Sequence, residues 1–370
     1  MKKWIVGWGV VSFCNMNCQF CYSRGKRIRE KDLEPKYWYQ FVDDNADKIE
    51  SINYGTGENS LSQDWFELIN YIRTNYPHII QSVTTNGYIS EVVKHNERNK
   101  EIFLKSIDEV DVSLDFADED KHNEFRGQKK AYCWALNMLK FCNENNKRLT
   151  IVSLGSNLVL NKENMSGIFD IAQKYNAMVR INIYRPTNGI DEFSKKFILT
   201  KEKLVDFLKW AYDNHQILAL DDQLLSSVIL NQEKSDPSGS NSIRILPNGD
   251  ITPSTYLIKD NFILGNLKDK IDLDKLETLN DNKLEKIVKE VIPNECEGCK
   301  YVKLCRGGVI DRRYLWNGSL NAKDPYCFVD DEILLDKVKS IKLSGEPVRS
   351  VHDGYLPTMF FKSGKEVNNE

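Results

Sequence analysis

Six short apolar runs recur through the first half of the chain, near residues 4–13, 50–54, 80–85, 109–115, 149–155 and 178–184. Between them lie stretches with helical spacing of apolar residues, among them Asp64 to Thr74, Tyr132 to Asn143 and Glu163 to Tyr175. A strand followed by a helix cannot turn back on itself as a hairpin, so successive strands pair in parallel through right-handed crossovers. Six such units predict an α/β chain built as a partial (β/α)6 barrel, with the loops after the strands gathered on one rim. A chain of 370 residues can bury that core and a smaller module besides. Trp4, Trp8 and Trp65 read as core.

The first of these rim loops carries Cys14, Cys18 and Cys21, spaced C-x3-C-x2-C. Three thiolates can hold three irons of a four-iron, four-sulfur (4Fe-4S) cluster and leave the fourth iron open to chemistry, whereas electron-transfer clusters are closed by four ligands. A structural zinc site is the competing reading, but this spacing does not match common zinc motifs. With Phe20 and Tyr22 flanking the last cysteine, the motif resembles that of the radical S-adenosylmethionine (SAM) enzymes. The resemblance implies that SAM chelates the open iron through its amino and carboxylate groups. A reductant such as flavodoxin or ferredoxin would charge the cluster, whose electron splits SAM into methionine and a 5′-deoxyadenosyl radical.

Other rim segments resemble the same family. Ser51 to Tyr54 runs into Gly55-Thr56-Gly57-Glu58, similar to the family's Gly-Gly-Glu turn but with Thr56 in place of the first glycine. Glycine lets a backbone approach a ligand closely, and the Glu58 carboxylate is suited to a charge-assisted bond from the SAM ammonium. The run Gln81 to Thr85 leads into Asn86-Gly87, similar to the family's third strand, which makes Asn86 a cofactor-binding candidate, although Asn-Gly by itself is only a turn signal. Val110 to Asp115 followed by His122 to Gly127 resembles a stretch of peptide-modifying members, with Phe116 where glycine is expected. That likeness makes Ser113 and Arg126 candidates for the SAM carboxylate; the alternative for Arg126 is a surface ion pair, with Glu124 close by. His122 reads as structural. Tyr184 and Arg185, after the sixth strand, are placed to line a substrate cavity, though Tyr-Arg-Pro is equally good loop chemistry.

Beyond residue 235 the character changes. Residues 235–241 are turn-rich, and Ile243 to Thr252 reads as a hairpin around Pro247-Asn248-Gly249-Asp250. Cys296, Cys299, Cys305 and Cys327 follow, and the region resembles the cysteine-rich SPASM extension of peptide-modifying radical SAM enzymes. The resemblance implies seven cysteines for two auxiliary clusters, but Ser254 and Val309 stand at two positions of the inner one. One auxiliary 4Fe-4S cluster, the outer, is therefore expected. Four cysteines also suit structural zinc.

The domain reading is 1–235 for the partial barrel, 241–345 for the smaller cysteine-rich C-terminal SPASM-like domain and 346–370 for a C-terminal tail. Cys133 and Cys142 lie in a helical stretch, where a cysteine is usually a small hydrophobe, and are the speculative catalytic hydrogen-atom donors. A net charge of −3 argues against nucleic-acid binding, and no apolar run is long enough for a membrane span. Met1-Lys2-Lys3 leads straight into a strand, unlike a signal peptide, and nine cysteines without a leader suit metal binding in a reducing cytoplasm. The expected substrate is a ribosomally made peptide, crosslinked, epimerised or oxidised after hydrogen abstraction. With only thirteen residues before Cys14, the peptide would be held by the barrel, the C-terminal module or a separate peptide-binding partner. The alternatives are the same radical chemistry on a small molecule (sugar, nucleoside or tetrapyrrole), or a non-catalytic metal-binding protein.

Overall fold

The computed structural model describes residues 3–23, 31–234, 236–279, 291–345, 350–352 and 356–365. Strands β1 (Trp4–Trp8), β2 (Ile49–Tyr54), β3 (Ile80–Thr85), β4 (Glu109–Ser113), β5 (Arg148–Gly155) and β6 (Met178–Ile183) pair in parallel in chain order. These are the six expected runs. β1 is shorter than expected because residues 9–13 leave the sheet and pass under the turn that follows β2, where the Glu58 N–H donates to the Phe13 carbonyl at 3.0 Å.

The helices between the strands cover the sheet through narrow apolar stripes. Helix Gln63–Asn75 buries Trp65, Leu68, Ile69 and Ile72, the i, i+3, i+4, i+7 pattern. Helix Ala131–Glu144 buries Ala135, Met138, Leu139 and Cys142 in the same way. The short polar helix Glu119–Arg126 is held at its ends: Asp118 accepts from the Lys121 N–H, and the Gly127 N–H donates back to the carbonyls of Asn123 and Glu124. That stop fixes Arg126 in its last turn. Trp4, Trp8 and Trp65 are all buried.

The sheet does not close into a barrel. It is an open, mixed sheet of eleven strands among the described residues. The expected hairpin forms as β8 (Ser242–Ile245) and β9 (Asp250–Thr252), but β8 lies parallel against β1, so one sheet takes in both the strands before residue 235 and those after residue 241. β10 (Gly265–Asn266) follows at that edge. Asp236 is buried and accepts the Ile310 N–H at 2.9 Å, so this stretch is packed against the C-terminal region.

At the other edge the structure corrects the expected tail at 346–370. Strand β11 (Met359–Lys362) inserts between β6 and β7 (Gln216–Leu220), antiparallel to both. Phe360 and Phe361 are fully buried, and Phe361 meets Phe207 at 5.4 Å. Three apolar residues gain enough from burial to outweigh the polar residues around them.

Candidate active site

The rim loops after β1 to β4 meet around a cavity of about 220 Å³, and the lining includes Cys14, Cys18, Cys21, Gly55, Gly57, Asn86, Ser113 and Arg126. Gly57 sits at φ +64°, where a Cβ would lie 2.4 Å from the Phe13 carbonyl oxygen and 2.6 Å from that of Val11. Only glycine lets the β2 turn touch the cysteine loop this closely. Thr56 is also left-handed, at φ 81°. Its hydroxyl is gripped by the Tyr22 hydroxyl at 3.0 Å and by Arg244, which hold the threonine where the family carries glycine.

Glu58 is buried but does not line the cavity. Its carboxylate accepts from the Ser60 hydroxyl, the Thr85 hydroxyl and the Asn86 N–H, each at 2.9 Å. Burial pushes its pKa up, and these donors oppose that rise. Glu58, expected to meet a SAM ammonium, ties the β2 and β3 turns together. Asn86, so positioned, donates to Asn15 Oδ1 at 2.8 Å and lies 3.9 Å from Cys14 Sγ. Gly87 allows this turn to press on helix Ala131–Glu144, where a Cβ would come within 2.5 Å of the Trp134 backbone.

Arg126 donates from Nε and Nη2 to Asp115 Oδ2, at 2.7 and 2.6 Å. The pair is buried and does not involve Glu124, so the surface-pair alternative is set aside. The guanidinium lies 5.1 Å from the centre of the Phe20 ring, and Phe20 stacks on Phe125 at 4.3 Å. Phe116, in the place of the family glycine, meets Phe125 edge-on at 5.2 Å. His122 has the structural role expected: its Nδ1 accepts from the N–H groups of Asp115 and Phe116, and burial holds its pKa well below the ordinary value.

Cys18 is buried beside Arg126, and burial raises its thiol to about 11; Arg126 opposes that rise, while Cys21 and Cys14 add to it. Three thiols on one wall of one cavity are a donor set that fits iron–sulfur ligation. Among the described residues, no three ligating side chains already stand at metal-binding spacing. The fit therefore rests on donor type and on the three residues lining one cavity.

Cys133 and Cys142 are corrected. Cys142 belongs to the buried stripe of its helix and Cys133 is exposed on that same helix. Neither lines the cavity, so neither is placed to give a hydrogen atom there. Tyr184 and Arg185 do line it, joined by Arg180, Arg244, Tyr256 and His352. Sequence reasoning missed these four. Arg180 lies in mid-strand, where a charge reads as solvent-facing, and His352 comes from the segment expected to be a tail.

The four C-terminal cysteines also share one site. Cys296, Cys299, Cys305 and Cys327 line a void of about 30 Å³ beside Gly307 and Lys323. Burial pushes the thiols of Cys296, Cys305 and Cys327 up. Ser254 is used in a turn, accepting the Tyr256 N–H at 3.2 Å, and the Val309 N–H donates to Asp324 at 2.9 Å. A buried ionic network occupies this part of the molecule: Arg312 bridges Asp222 and Asp324, and Arg185 pairs with Asp311.

Residues 9–174 match the model of the radical SAM superfamily. Residues 9–174 are a radical SAM domain, and the chain is an enzyme. Mycofactocin maturase MftC of Mycobacterium ulcerans (strain Agy99) is 21% identical over 330 residues, 86% of each chain. Fe-coproporphyrin III synthase of Methanosarcina barkeri (strain Fusaro / DSM 804) is 23% identical over 369 residues, 90% of this chain and 89% of its own. The solved structure of native anSMEcpe with bound AdoMet and Cp18Cys peptide has a TM-score of 0.70 at 17% identity, over 90% of this chain and 95% of that one, a likeness of fold. No helix among the described residues is long and apolar enough to cross a membrane.

Proposed function

We propose that the chain is a radical SAM enzyme that modifies a peptide, with Cys14, Cys18 and Cys21 holding a 4Fe-4S cluster and the β2–β4 loops holding SAM. The observation that carries this is the meeting of three thiols, a glycine turn, Asn86, Ser113 and Arg126 on one cavity. The peptide is supported by the MftC relative and by the shared fold of a SAM enzyme solved with a peptide bound. The cluster and SAM supply hydrogen-atom abstraction from carbon when bound.

The chain's own residues do the rest. Asn86 ties the β3 turn to the cysteine loop, and Gly57 lets the β2 turn reach it. Arg126, held by Asp115, offers positive charge beside Ser113 for the SAM carboxylate. Phe20, in the cysteine loop, stacks on Phe125 and packs against Phe197, which fixes the loop's outer side. Cys296, Cys299, Cys305 and Cys327 would close one auxiliary 4Fe-4S cluster, with every iron ligated and none open to substrate. Electrons would come from a flavodoxin or ferredoxin type of reductant, in a reducing compartment such as the cytoplasm; a separate protein is one means of presenting the peptide.

Anaerobically reconstituted, reduced protein should convert SAM into 5′-deoxyadenosine and methionine, and alanine at Cys14, Cys18 and Cys21 together should abolish this. Cleavage that survives the triple substitution sinks the assignment. The coproporphyrin relative favours a second reading, the same chemistry on a tetrapyrrole. Mass spectrometry of peptides and of tetrapyrroles incubated with the active enzyme separates the two.

A further inference from the structure

The cavity has two walls of different origin. The thiols, Gly55, Asn86, Ser113 and Arg126 come from β1 to β4 and their loops, while Arg180 and Arg185 stand on β6 and just beyond it. Four arginines are among the lining residues, and three of them are paired with the buried carboxylates of Asp115, Asp111 and Asp311.

Arg180 is the more telling of the two. Register places it beside Val152, which in turn pairs with Ser113, so it projects into the cavity at the level of the candidate SAM residues. Its side chain is 1% exposed. Nη2 donates to Asp111 at 2.8 Å, but neither Nε nor Nη1 has a partner among the described residues. Arg185 is buried as well; its Nε and Nη1 are taken by Asp311 and the Ile183 carbonyl, and its Nη2 has no partner. Its guanidinium lies 5.0 Å from the centre of the Tyr256 ring. Buried donors of a charged group are costly to leave unpaired. Three such nitrogens belong to two buried side chains that line the cavity, donors that lack acceptor oxygens.

We infer that Arg180 and Arg185 form a subsite for a carboxylate of the substrate, either an Asp or Glu side chain or the free C-terminal carboxylate of a peptide. The inference rests on the peptide-modifying reading above and deepens it. SAM also brings a carboxylate, but Ser113, two strands away from Arg180 in the same sheet, and Arg126 beyond it are placed for that one. The β6 wall is left to select what is brought beside the cofactor.

The test uses reconstituted, SAM-loaded enzyme under anaerobic conditions and four sets of N-acetylated hexapeptides. The sets either contain or lack Asp and Glu, and end either in a free carboxylate or in an amide. Retention is measured by ultrafiltration and mass spectrometry. At least one carboxylate-bearing set should be retained about ten- to a hundredfold over the acid-free amidated set, the worth of a charge-assisted contact. The acidic amidated set preferred alone identifies a side chain; the acid-free set with a free end preferred alone identifies the C-terminus.

Arg180→Gln should lose the preference and Arg180→Lys should keep part of it, while SAM affinity stays within about twofold of the wild type. Equal retention of all four sets by the wild-type enzyme overturns the subsite, whether or not either variant folds. So does a loss of SAM affinity in Arg180→Gln as large as the loss of carboxylate preference. Failure of the peptide reading looks different: N-acetylglutamate retained in an Arg180-dependent way, with no peptide set retained, keeps the subsite and removes the peptide. Retention of no carboxylate probe at all overturns the subsite.

Discussion

Gly57→Ala and Gly55→Ala make a matched pair that tests why the turn after β2 carries glycine. At Gly57 an alanine would sit at φ +64°, which costs about 1–2 kcal/mol for an L side chain. Its Cβ would also fall 2.4 and 2.6 Å from two backbone carbonyl oxygens, which cannot rotate away as a side chain can. Overpacking of that kind adds roughly 1–3 kcal/mol, for a total of about 2–5 kcal/mol. At Gly55 the nearest atom to an added Cβ is a guanidinium nitrogen of Arg244 at 3.8 Å, and the backbone is not left-handed. The expected change there is within about 0.5 kcal/mol. Urea unfolding of both variants, with iron content after reconstitution, reads the difference. Gly57→Ala should unfold at lower urea and bind less iron, because the loop it displaces carries Cys14. Equal midpoints for the two variants, or a silent Gly57→Ala, would refute the close-approach account.

Further outcomes follow from the other buried groups. His122 is kept neutral by burial, whereas an unfolded histidine takes up a proton near pH 6.5. The unfolded chain therefore binds more protons below that pH, so stability should fall as pH drops below about 6.5 and be insensitive to this group above it. His122→Asn, which keeps an acceptor, should flatten the fall in urea titrations between about pH 5 and 7; an unchanged slope counts against the assignment. Arg312→Met strands Asp222 and Asp324 without their partner and should cost about 3–5 kcal/mol. A loss under about 1 kcal/mol would show the network to be solvated. Reconstituted protein should carry about eight irons per chain, two four-iron clusters. Alanine at Cys296 and Cys299 should remove about half of them and leave the SAM-responsive signal. A count near twelve irons, or stoichiometric zinc at these cysteines, overturns the single auxiliary cluster.

The parallel strands were legible because each is a continuous apolar or β-branched run between helices of clear stripe, and the cysteine loop because its spacing is specific. β7 and β11 were not, since runs of five and four residues are too short for periodicity to speak. The motifs located the site better than they identified roles. Glu58 stands where the motif put it, yet its carboxylate faces Ser60, Thr85 and Asn86. Which way a buried carboxylate points depends on the turns packed around it, and these come from distant segments. Arg180 escaped notice because a charge inside a strand is expected to face water. Only the sheet register shows that it faces inward.

The place of β11 also bears on how the chain matures. β6 and β7 lie within 43 residues of each other, from Met178 to Leu220, yet the strand between them starts at Met359. During synthesis, the first six strands can associate while this slot is still empty. Two unpaired strand edges then stand exposed until Met359–Lys362 arrives, the condition under which nascent sheets pair with the wrong partner. His352, just upstream of β11, joins Asp111 and Asn53 in the interior. This late segment thus caps the polar interior beneath the cavity, and a chain cut short of it would carry all seven candidate cluster cysteines on an unfinished scaffold.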